Sequence, residues 1–166
     1  MIQEILIRGN KTYKYMFYAS ESSEKFKKLK PIRKVYGVLF NAKGEIVIVK
    51  INNKWLLPGG AIEKGEDAEK ALIREVNEEA DVEIEEIRPA GYQKVIVYEN
   101  KKKRETFYQL RYAAKISNIK KQTPDPAVGY IPERKFIKPK DFLKYCPWGN
   151  IGKAIVKNAV EVMRKK

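Results

Sequence analysis

Residues 60–82 read GAIEKGEDAEKALIREVNEEADV, a segment that is dense in acidic side chains. Glu75, Glu78 and Glu79 are spaced i, i+3 and i+4, so on an α-helix their three carboxylates share one face. Like charges this close repel each other, and a cation among them would remove that cost. Oxygen ligands at this density suit Mg²⁺ or Mn²⁺, so the segment predicts a metal-binding helix face.

The residues before this helix predict where it begins, and its own apolar residues predict which side faces the core. Residues 55–57 (WLL) are strand-like, and residues 58–60 (PGG) follow with glycines that let a backbone approach a ligand closely. Residues 65–67 (GED) mark a helix start, since acidic side chains favour the positive end of the helix dipole. The sequence therefore predicts a strand, a glycine loop and a helix over 67–80. The apolar stripe of this helix is predicted to comprise Leu72, Ile73, Val76 and Ala80.

Composition excludes several kinds of catalytic site. The chain has 166 residues, of which 43% are hydrophobic and 34% charged, and it contains one cysteine and no histidine. The lack of histidine excludes Ser-His-Asp and Cys-His catalysis and any zinc site with a histidine ligand. The single cysteine, Cys146, excludes an internal disulfide and fits a cytoplasmic location. No apolar run approaches membrane-spanning length, so no membrane partner is expected.

The charge is distributed unevenly along the chain. The net charge is +14, yet residues 61–86 hold eleven acidic and three basic residues, a balance of −8, which leaves +22 elsewhere. An acidic metal site within a basic surface suits an anionic substrate. The basic surface also permits RNA or DNA as a partner, and many of the lysines are expected simply to be solvated.

The rest of the chain mixes strands and helices. Residues 1–31 are predicted to form an N-terminal β-hairpin and a polar connector, and the basic segment 100–104 is predicted to be a loop that could contact phosphate. The remaining predicted strands are 35–40 and 45–50, expected as a hairpin, then 91–99, 105–116 and 133–137, and the last helix spans 151–164.

The spacing of the acidic segment resembles the signature of a known family. Gly60, five residues, Glu66, seven residues and then Arg74-Glu75-Val76-Asn77-Glu78-Glu79 are similar to the Nudix box, G-x5-E-x7-R-E-U-x-E-E-x-G-U with U aliphatic. All fixed positions match except Asp81, which stands where the family has glycine. Because that glycine usually ends the helix in a left-handed conformation, we expect a slightly strained helix end at Asp81.

The resemblance implies a fold and an activity. The expected fold is α/β (α+β), an α/β/α sandwich with a mixed β-sheet, in a single Nudix hydrolase domain over 1–166 to which the N-terminal hairpin is an addition. The expected activity is Mg²⁺-dependent cleavage of a diphosphate linkage in a nucleoside diphosphate joined to another group, with Mn²⁺ as a possible substitute.

The resemblance also implies roles for individual residues. Glu78 or Glu79 would act as general base, and Arg74 would pair with Glu66 or with a ligand glutamate to hold it in place. Glu133 is a candidate for a further ligand or for the base, because family members often supply one from a late loop. The implied metal ligands are the Gly60 carbonyl, Glu75, Glu78 and Glu79.

Three functional hypotheses remain open from the sequence. The first is a pyrophosphohydrolase of a small nucleotide: a nucleoside triphosphate, a dinucleoside polyphosphate or a nucleotide sugar. The second is a pyrophosphohydrolase of RNA 5′ ends, which the basic surface favours. The third is a non-catalytic nucleotide-sensing domain, whose usual mark would be eroded box carboxylates. A homodimer through the N-terminal hairpin is a further possibility.

Overall fold

The computed structural model describes residues 1–165, which form one mixed β-sheet flanked by helices. A single 3-10 turn, Pro139–Asp141, precedes the third helix. Among these residues, no helix is long and apolar enough to cross a membrane. The strands are β1 (Ile2–Arg8), β2 (Lys11–Tyr18), β3 (Ile32–Phe40), β4 (Ile46–Ile51), β5 (Lys54–Leu56), β6 (Gly59–Ala61), β7 (Val82–Glu99), β8 (Lys102–Ile119) and β9 (Glu133–Ile137). The helices are α1 (Ser23–Lys28), α2 (Ala68–Ala80), α3 (Phe142–Tyr145) and α4 (Gly149–Arg164).

The sheet has the strand order β1-β2-β7-β8-β3-β4-β5, with β6 paired to β3 and β9 paired to β4. All pairs are antiparallel except β3 with β8. The predicted hairpin of β3 and β4 forms only at its turn, where Phe40 pairs with Ile46. Beyond that pair the strands separate, because β3 pairs with β6 and β4 pairs with β5 and β9.

The alternation of side chains along the strands divides the core in two. Val38 and Ile48 face the core beneath α4, whereas Leu39 and Val47 face the core beneath α2. Successive side chains of a strand point to opposite faces, so a strand with apolar residues on both faces needs cover on both sides. The two helices supply that cover, which confirms the predicted α/β (α+β) sandwich.

The N-terminal hairpin extends the same sheet. Gly9, with φ of 60°, lies in the predicted turn, and β2 pairs with β7 along its whole length. Glu4 of β1 contacts the start of α4, where its Oε1 accepts hydrogen bonds from the backbone N–H groups of Asn150 at 2.6 Å and Ile151 at 3.2 Å. These donors are otherwise unpaired in a first helical turn, so β1 caps the last helix.

Several predicted boundaries were wrong. Strands β7 and β8 are 18 residues each, longer than the predicted 91–99 and 105–116, and irregularities in register near Glu85–Arg88 accommodate the added length. The predicted basic loop over 100–104 is a tight turn at Asn100 and Lys101, both with positive φ, and the remaining residues belong to β8. This geometry is that of a two-residue hairpin.

The glycine segment and the helix stripe also need correction. Gly59–Ala61 forms β6 instead of a loop, because its backbone pairs with β3. On α2, Ile73 is 48% exposed and does not belong to the apolar stripe, whereas Ala71 is buried. Ile73 and Ala71 lie two residues apart on the helix, about 200° around its axis, so only one of them can face the core.

Asp81 ends α2 in the left-handed conformation that its position in the box predicts, with φ of 47° and ψ of 49°. Its side chain is buried and accepts two hydrogen bonds from Thr123, one from the backbone N–H and one from Oγ1, both at 2.9 Å. A glycine would adopt this backbone more easily but could not hold the loop after β8. Asp81 therefore adopts a backbone conformation that is less favourable for it than for glycine, and its side chain anchors the loop after β8.

This anchor gives a testable prediction. We expect Asp81→Gly to lower the free energy of unfolding by about 1–2 kcal/mol, because the loss of two hydrogen bonds to a carboxylate outweighs the easier backbone. Urea unfolding of wild type, Asp81→Gly, Thr123→Val and the double variant measures the coupling. In the Thr123→Val background, which lacks the hydroxyl donor, the loss caused by Asp81→Gly should be smaller. An unchanged loss in that background would contradict the anchor.

Candidate active site

The site is built where α2 crosses β6. A Cβ on Gly59, whose φ is 142°, would lie 2.2 Å from the carbonyl oxygen of Val35, so only glycine fits there. A Cβ on Gly60 would lie 2.5 Å from both carboxylate oxygens of Glu75. The two glycines therefore let the β6 backbone approach β3 on one side and the acidic face of α2 on the other. Asp67 caps the start of α2 by accepting from the Lys70 N–H at 2.9 Å.

Arg74 lies at the centre of the acidic face. Its Nε and Nη2 donate to the two carboxylate oxygens of Glu66, each at 3.0 Å. Its Nη1 donates to Glu75 at 3.0 Å and to Glu78 at 3.3 Å, and its Nη2 also reaches the carbonyl of Ala61 at 2.9 Å. The bidentate pair with Glu66 fixes the plane of the guanidinium. Hydrogen bonding to Arg74 in turn lowers the pKa of Glu66.

Glu79 is the carboxylate of the α2 acidic face that Arg74 does not contact. Its Oε2 accepts a hydrogen bond from the backbone N–H of Gly59 at 2.8 Å. Burial raises the pKa of Glu79 to about 8, and the negative charges of Glu75, Asp125 and Glu78 add to this effect. Burial also raises the pKa of Glu75, against the opposing effect of Arg74. The site therefore contains more negative charge than its single arginine neutralises.

The residues present fit a hard divalent cation. All the side-chain donors are carboxylate oxygens, which Mg²⁺ and Mn²⁺ prefer, and burial together with neighbouring negative charges raises the pKa of Glu75 and Glu79, so a cation would stabilise their ionised forms. Within residues 1–165, no three acidic side chains are placed together as a ready ion site. The carboxylates are held by Arg74 and by the Gly59 N–H instead, so a cation would compete with these partners.

Asp125 is an acidic residue near the site that the sequence analysis missed. It lies in the loop between β8 and β9, is 2% exposed and accepts from the Ala127 N–H at 2.7 Å. Its charge contributes to the raised pKa of both Glu75 and Glu79. The only sequence signal was an aspartate between two prolines, Pro124 and Pro126, which predicts a loop but does not indicate where that loop folds.

Glu133 was predicted as the late-loop carboxylate, and the structure places it elsewhere. It begins β9 opposite Lys50, with the two charged groups 3.7 Å apart and the Glu133 side chain 57% exposed. It does not contribute to the shifted pKa values of Glu75 or Glu79. The structure thus brings Gly60, Arg74 and the three α2 glutamates together, and adds Asp125 instead of Glu133.

The NUDIX domain family model matches residues 30–155 of the chain. The chain belongs to this family. Its membership confirms the resemblance indicated by the box, and with it the prediction of a Nudix hydrolase, an enzyme acting on phosphorus-containing acid anhydrides. Residues 1–29, which include β1, β2 and α1, precede the matched range.

Solved structures share this fold at low sequence identity. The Bacillus subtilis pyrophosphohydrolase BsRppH is 19% identical with a TM-score of 0.65, over 93% of this chain and 92% of that chain. A MutT described from Aliivibrio salmonicida and Vibrio cholerae is 21% identical with a TM-score of 0.56, over 79% and 98%. A C. elegans Ap4A hydrolase is 17% identical with a TM-score of 0.54, over 79% and 98%.

The charge imbalance at Glu79 predicts a pH-dependent stability. Because the folded pKa of about 8 lies above the usual value of 4.5, the metal-free protein should lose stability as the pH rises from about 5 to 8. Glu79→Gln removes the ionisation but keeps the shape. In EDTA, its melting temperature should therefore match that of wild type at pH 5 and exceed it at pH 8.5.

Metal binding should reverse this order. Adding Mg²⁺ or Mn²⁺ at pH 8.5 should raise the melting temperature of wild type and have a much smaller effect on Glu79→Gln. Glu83→Gln, an equal charge change on the exposed side of β7, is the matched control and should respond to metal as wild type does. Equal metal responses of all three proteins would contradict a metal site at Glu79.

Proposed function

We propose that this chain is a Mg²⁺-dependent pyrophosphohydrolase that cleaves a diphosphate linkage in a nucleoside diphosphate joined to another group. The observation that carries the proposal is the poorly solvated Glu79 carboxylate at the Gly59 N–H, beside the charges of Glu75, Glu78 and Asp125. Like charges shielded from water destabilise a fold, and a non-catalytic sensor would usually have lost box carboxylates that are all present here.

The proposed ligands of the metal are the Gly60 carbonyl and the carboxylates of Glu75, Glu78 and Glu79. When bound, Mg²⁺ would neutralise phosphate charge and polarise the phosphorus centre. Arg74 would limit the mutual repulsion of the carboxylates and hold Glu75 in register with β6. We also propose a cytoplasmic location, a single domain over 1–166 and a homodimer. The argument for the activity does not depend on any of the three.

The general base is proposed to be Glu78. Its side chain is 29% exposed, twice as much as the 14% of Glu75, whereas Glu79 is held against β6 by the Gly59 N–H. A base must reach a water molecule that enters from solvent, so geometry favours the more exposed carboxylate. Glu79 would then serve as a ligand, since its poorly solvated charge gains most from a cation.

The two roles predict different kinetic losses. We expect Glu78→Gln to lower kcat by about 10²–10⁴-fold and to raise the Mg²⁺ concentration for half-maximal activity less than Glu79→Gln does. Glu79→Gln should lower activity and also raise that Mg²⁺ concentration, and Glu83→Gln should match wild type. A Glu78→Gln variant with wild-type kcat would overturn the assignment of the base.

Incubation with a panel of candidate substrates tests the hydrolase activity itself. Purified protein with Mg²⁺ would be incubated with canonical and oxidised dNTPs, ADP-ribose, nucleotide sugars, dinucleoside polyphosphates and 5′-triphosphate RNA. Phosphorus NMR of the products identifies the bond that is cleaved, because released pyrophosphate differs from two monophosphates. Turnover that Glu79→Gln lacks and that EDTA abolishes would support the proposal; equal turnover without metal would contradict it.

A pyrophosphohydrolase of RNA 5′ ends is the second candidate. The 93% share of the chain matched to BsRppH extends into the N-terminal hairpin, because residues 30–166 alone make up about 83% of the chain. The excess of +22 outside the acidic segment also suits a polyanion. If RNA is the substrate, the logarithm of its binding constant should fall linearly with the logarithm of salt concentration, measured by fluorescence anisotropy in Ca²⁺-free and Mg²⁺-free buffer. A salt-independent affinity would favour the small nucleotides.

A further inference from the structure

Arg111 of β8 is a buried arginine without a carboxylate partner. It is 3% exposed, its guanidinium stacks on the ring of Tyr36 at 4.6 Å, and its Nε has no hydrogen-bond partner among residues 1–165. Burial lowers the pKa of Arg111 to about 10, so the group is still a cation at neutral pH. A charge that is buried in this way and pairs with no carboxylate of residues 1–165 is costly for the fold.

The partners of Arg111 are two glutamines. Its Nη2 donates to Oε1 of Gln93 at 2.6 Å and to Oε1 of Gln109 at 2.9 Å, and its Nη1 donates to the carbonyl of Leu110 at 3.1 Å. Arginine has donors only, so it requires the oxygen of each carboxamide to face inward. Each amide NH₂ group must then point away from Arg111, and neither donates to another group within residues 1–165.

These amides lie on the sheet face that carries Lys34 and Ala61, opposite the face on which Gly60 meets Glu75, and they are close to β6 along the sheet. Gln109 pairs with Gln93 on one side and with Lys34 on the other, and Lys34 pairs with Ala61 of β6. Residues paired in register share a face of the sheet. Two strand spacings separate β8 from β6, so Gln109 lies about 10 Å from Ala61. Lys34 is exposed, Gln109 is half-buried and Gln93 is 6% exposed, so a ligand would approach from the side of Lys34 and Gln109.

We propose that Gln93 and Gln109, oriented by the buried Arg111, form an anion subsite that takes a phosphate group of the substrate. The inference deepens the proposed function, on which it rests for the identity of the ligand. The subsite presents amide donors toward the ligand, with the Arg111 cation behind them and Lys34 beside them. A phosphate oxygen is an acceptor with negative charge, so it is the group that this donor set recognises.

The proposal explains why glutamine stands at these positions. A glutamate at 109 would pair with Arg111 and offset its charge, but it would turn an acceptor toward the ligand. Glutamine leaves the cation uncompensated and exposes a donor. Stability is thus given up for binding, as is common at functional sites. Arg111 is a positioning residue, because it acts on the ligand through the two amides.

The first experiment observes the amides directly. Nitrogen-15-labelled wild-type protein in EDTA is titrated with inorganic pyrophosphate, and the side-chain NH₂ resonances of the four glutamines are followed. The Gln93 and Gln109 resonances, assigned from Gln→Met variants, should shift in a saturable way. Gln3 on the edge strand and Gln122, whose amide donates to the Pro132 carbonyl, are internal controls and should stay unchanged. Equal shifts at all four glutamines would indicate non-specific attraction to a basic protein and overturn the proposal.

The second experiment separates binding from folding. Gln109→Glu should raise the melting temperature, because it gives Arg111 an anionic partner, and should weaken pyrophosphate binding at least tenfold. Gln109→Met removes the donor without adding charge and should weaken binding while leaving the melting temperature equal to or below that of wild type. A purely structural glutamine would show stability and binding changing together; unchanged pyrophosphate affinity in Gln109→Glu would overturn the subsite.

The same variants report on the substrate once one is found. With the active compound from the panel, Gln109→Glu should raise KM at least tenfold and change kcat much less. Pyrophosphate binding without any turnover would leave the subsite standing and remove the proposed hydrolase activity. Turnover with no shift of the Gln93 and Gln109 amide resonances would support the hydrolase activity and overturn the subsite.

Discussion

The close approach of α2 to β6 is the constraint on which the rest of the site depends. Gly59 and Gly60 lack the Cβ atoms that would strike β3 and the Glu75 carboxylate, respectively. Because β6 fits into this narrow space, its backbone can pair with β3 and still donate to Glu79. The helix is thus fixed to the sheet by its polar face as well as by its apolar one, and the positions of its carboxylates follow from the sheet.

Two poorly solvated charges of opposite sign lie near the sheet, Glu79 on α2 and Arg111 on β8. Glu79 accepts a hydrogen bond from the Gly59 N–H, and Arg111 donates to Gln93 and Gln109, so the two groups belong to separate networks. Neither is explained by the stability of the chain, because an uncompensated charge shielded from water is destabilising. Both would be explained by the proposed ligand, a divalent cation bound to a phosphorylated compound.

The sequence predicted the helix face best, because a fixed spacing on a regular helix determines which side chains are neighbours. Glu75, Glu78 and Glu79 needed no tertiary information to be placed together, and neither did the left-handed end of α2 at Asp81. Asp125 could not be placed in this way, since its loop reaches the site only through the folding of the whole chain. Gln93 and Arg111 were missed for a related reason: they are 18 residues apart, and only the register of a long hairpin brings them into contact.

The wrong predictions for the glycine segment, for Ile73 and for Glu133 each had a local cause. Gly59 and Gly60 predicted a loop because glycine is weak in strands, but here the neighbouring backbone approaches so closely that only glycine fits. Ile73 was placed on the apolar stripe by its side-chain type, although the helix turns it to solvent. Glu133 was chosen for its position late in the chain, and its partner across the sheet proved to be Lys50.

The contact of Glu4 with the first turn of α4 has a consequence for how the chain folds. It joins residues that are 146 positions apart, so most of the chain must be synthesised before the first strand meets the last helix. Contacts of such long range raise the mean sequence separation of the native contacts and slow folding. On the ribosome, the Glu4 carboxylate would have neither of its two N–H donors, Asn150 and Ile151, until α4 emerges. Until then, the backbone pairing with β2 is what holds β1 in the sheet.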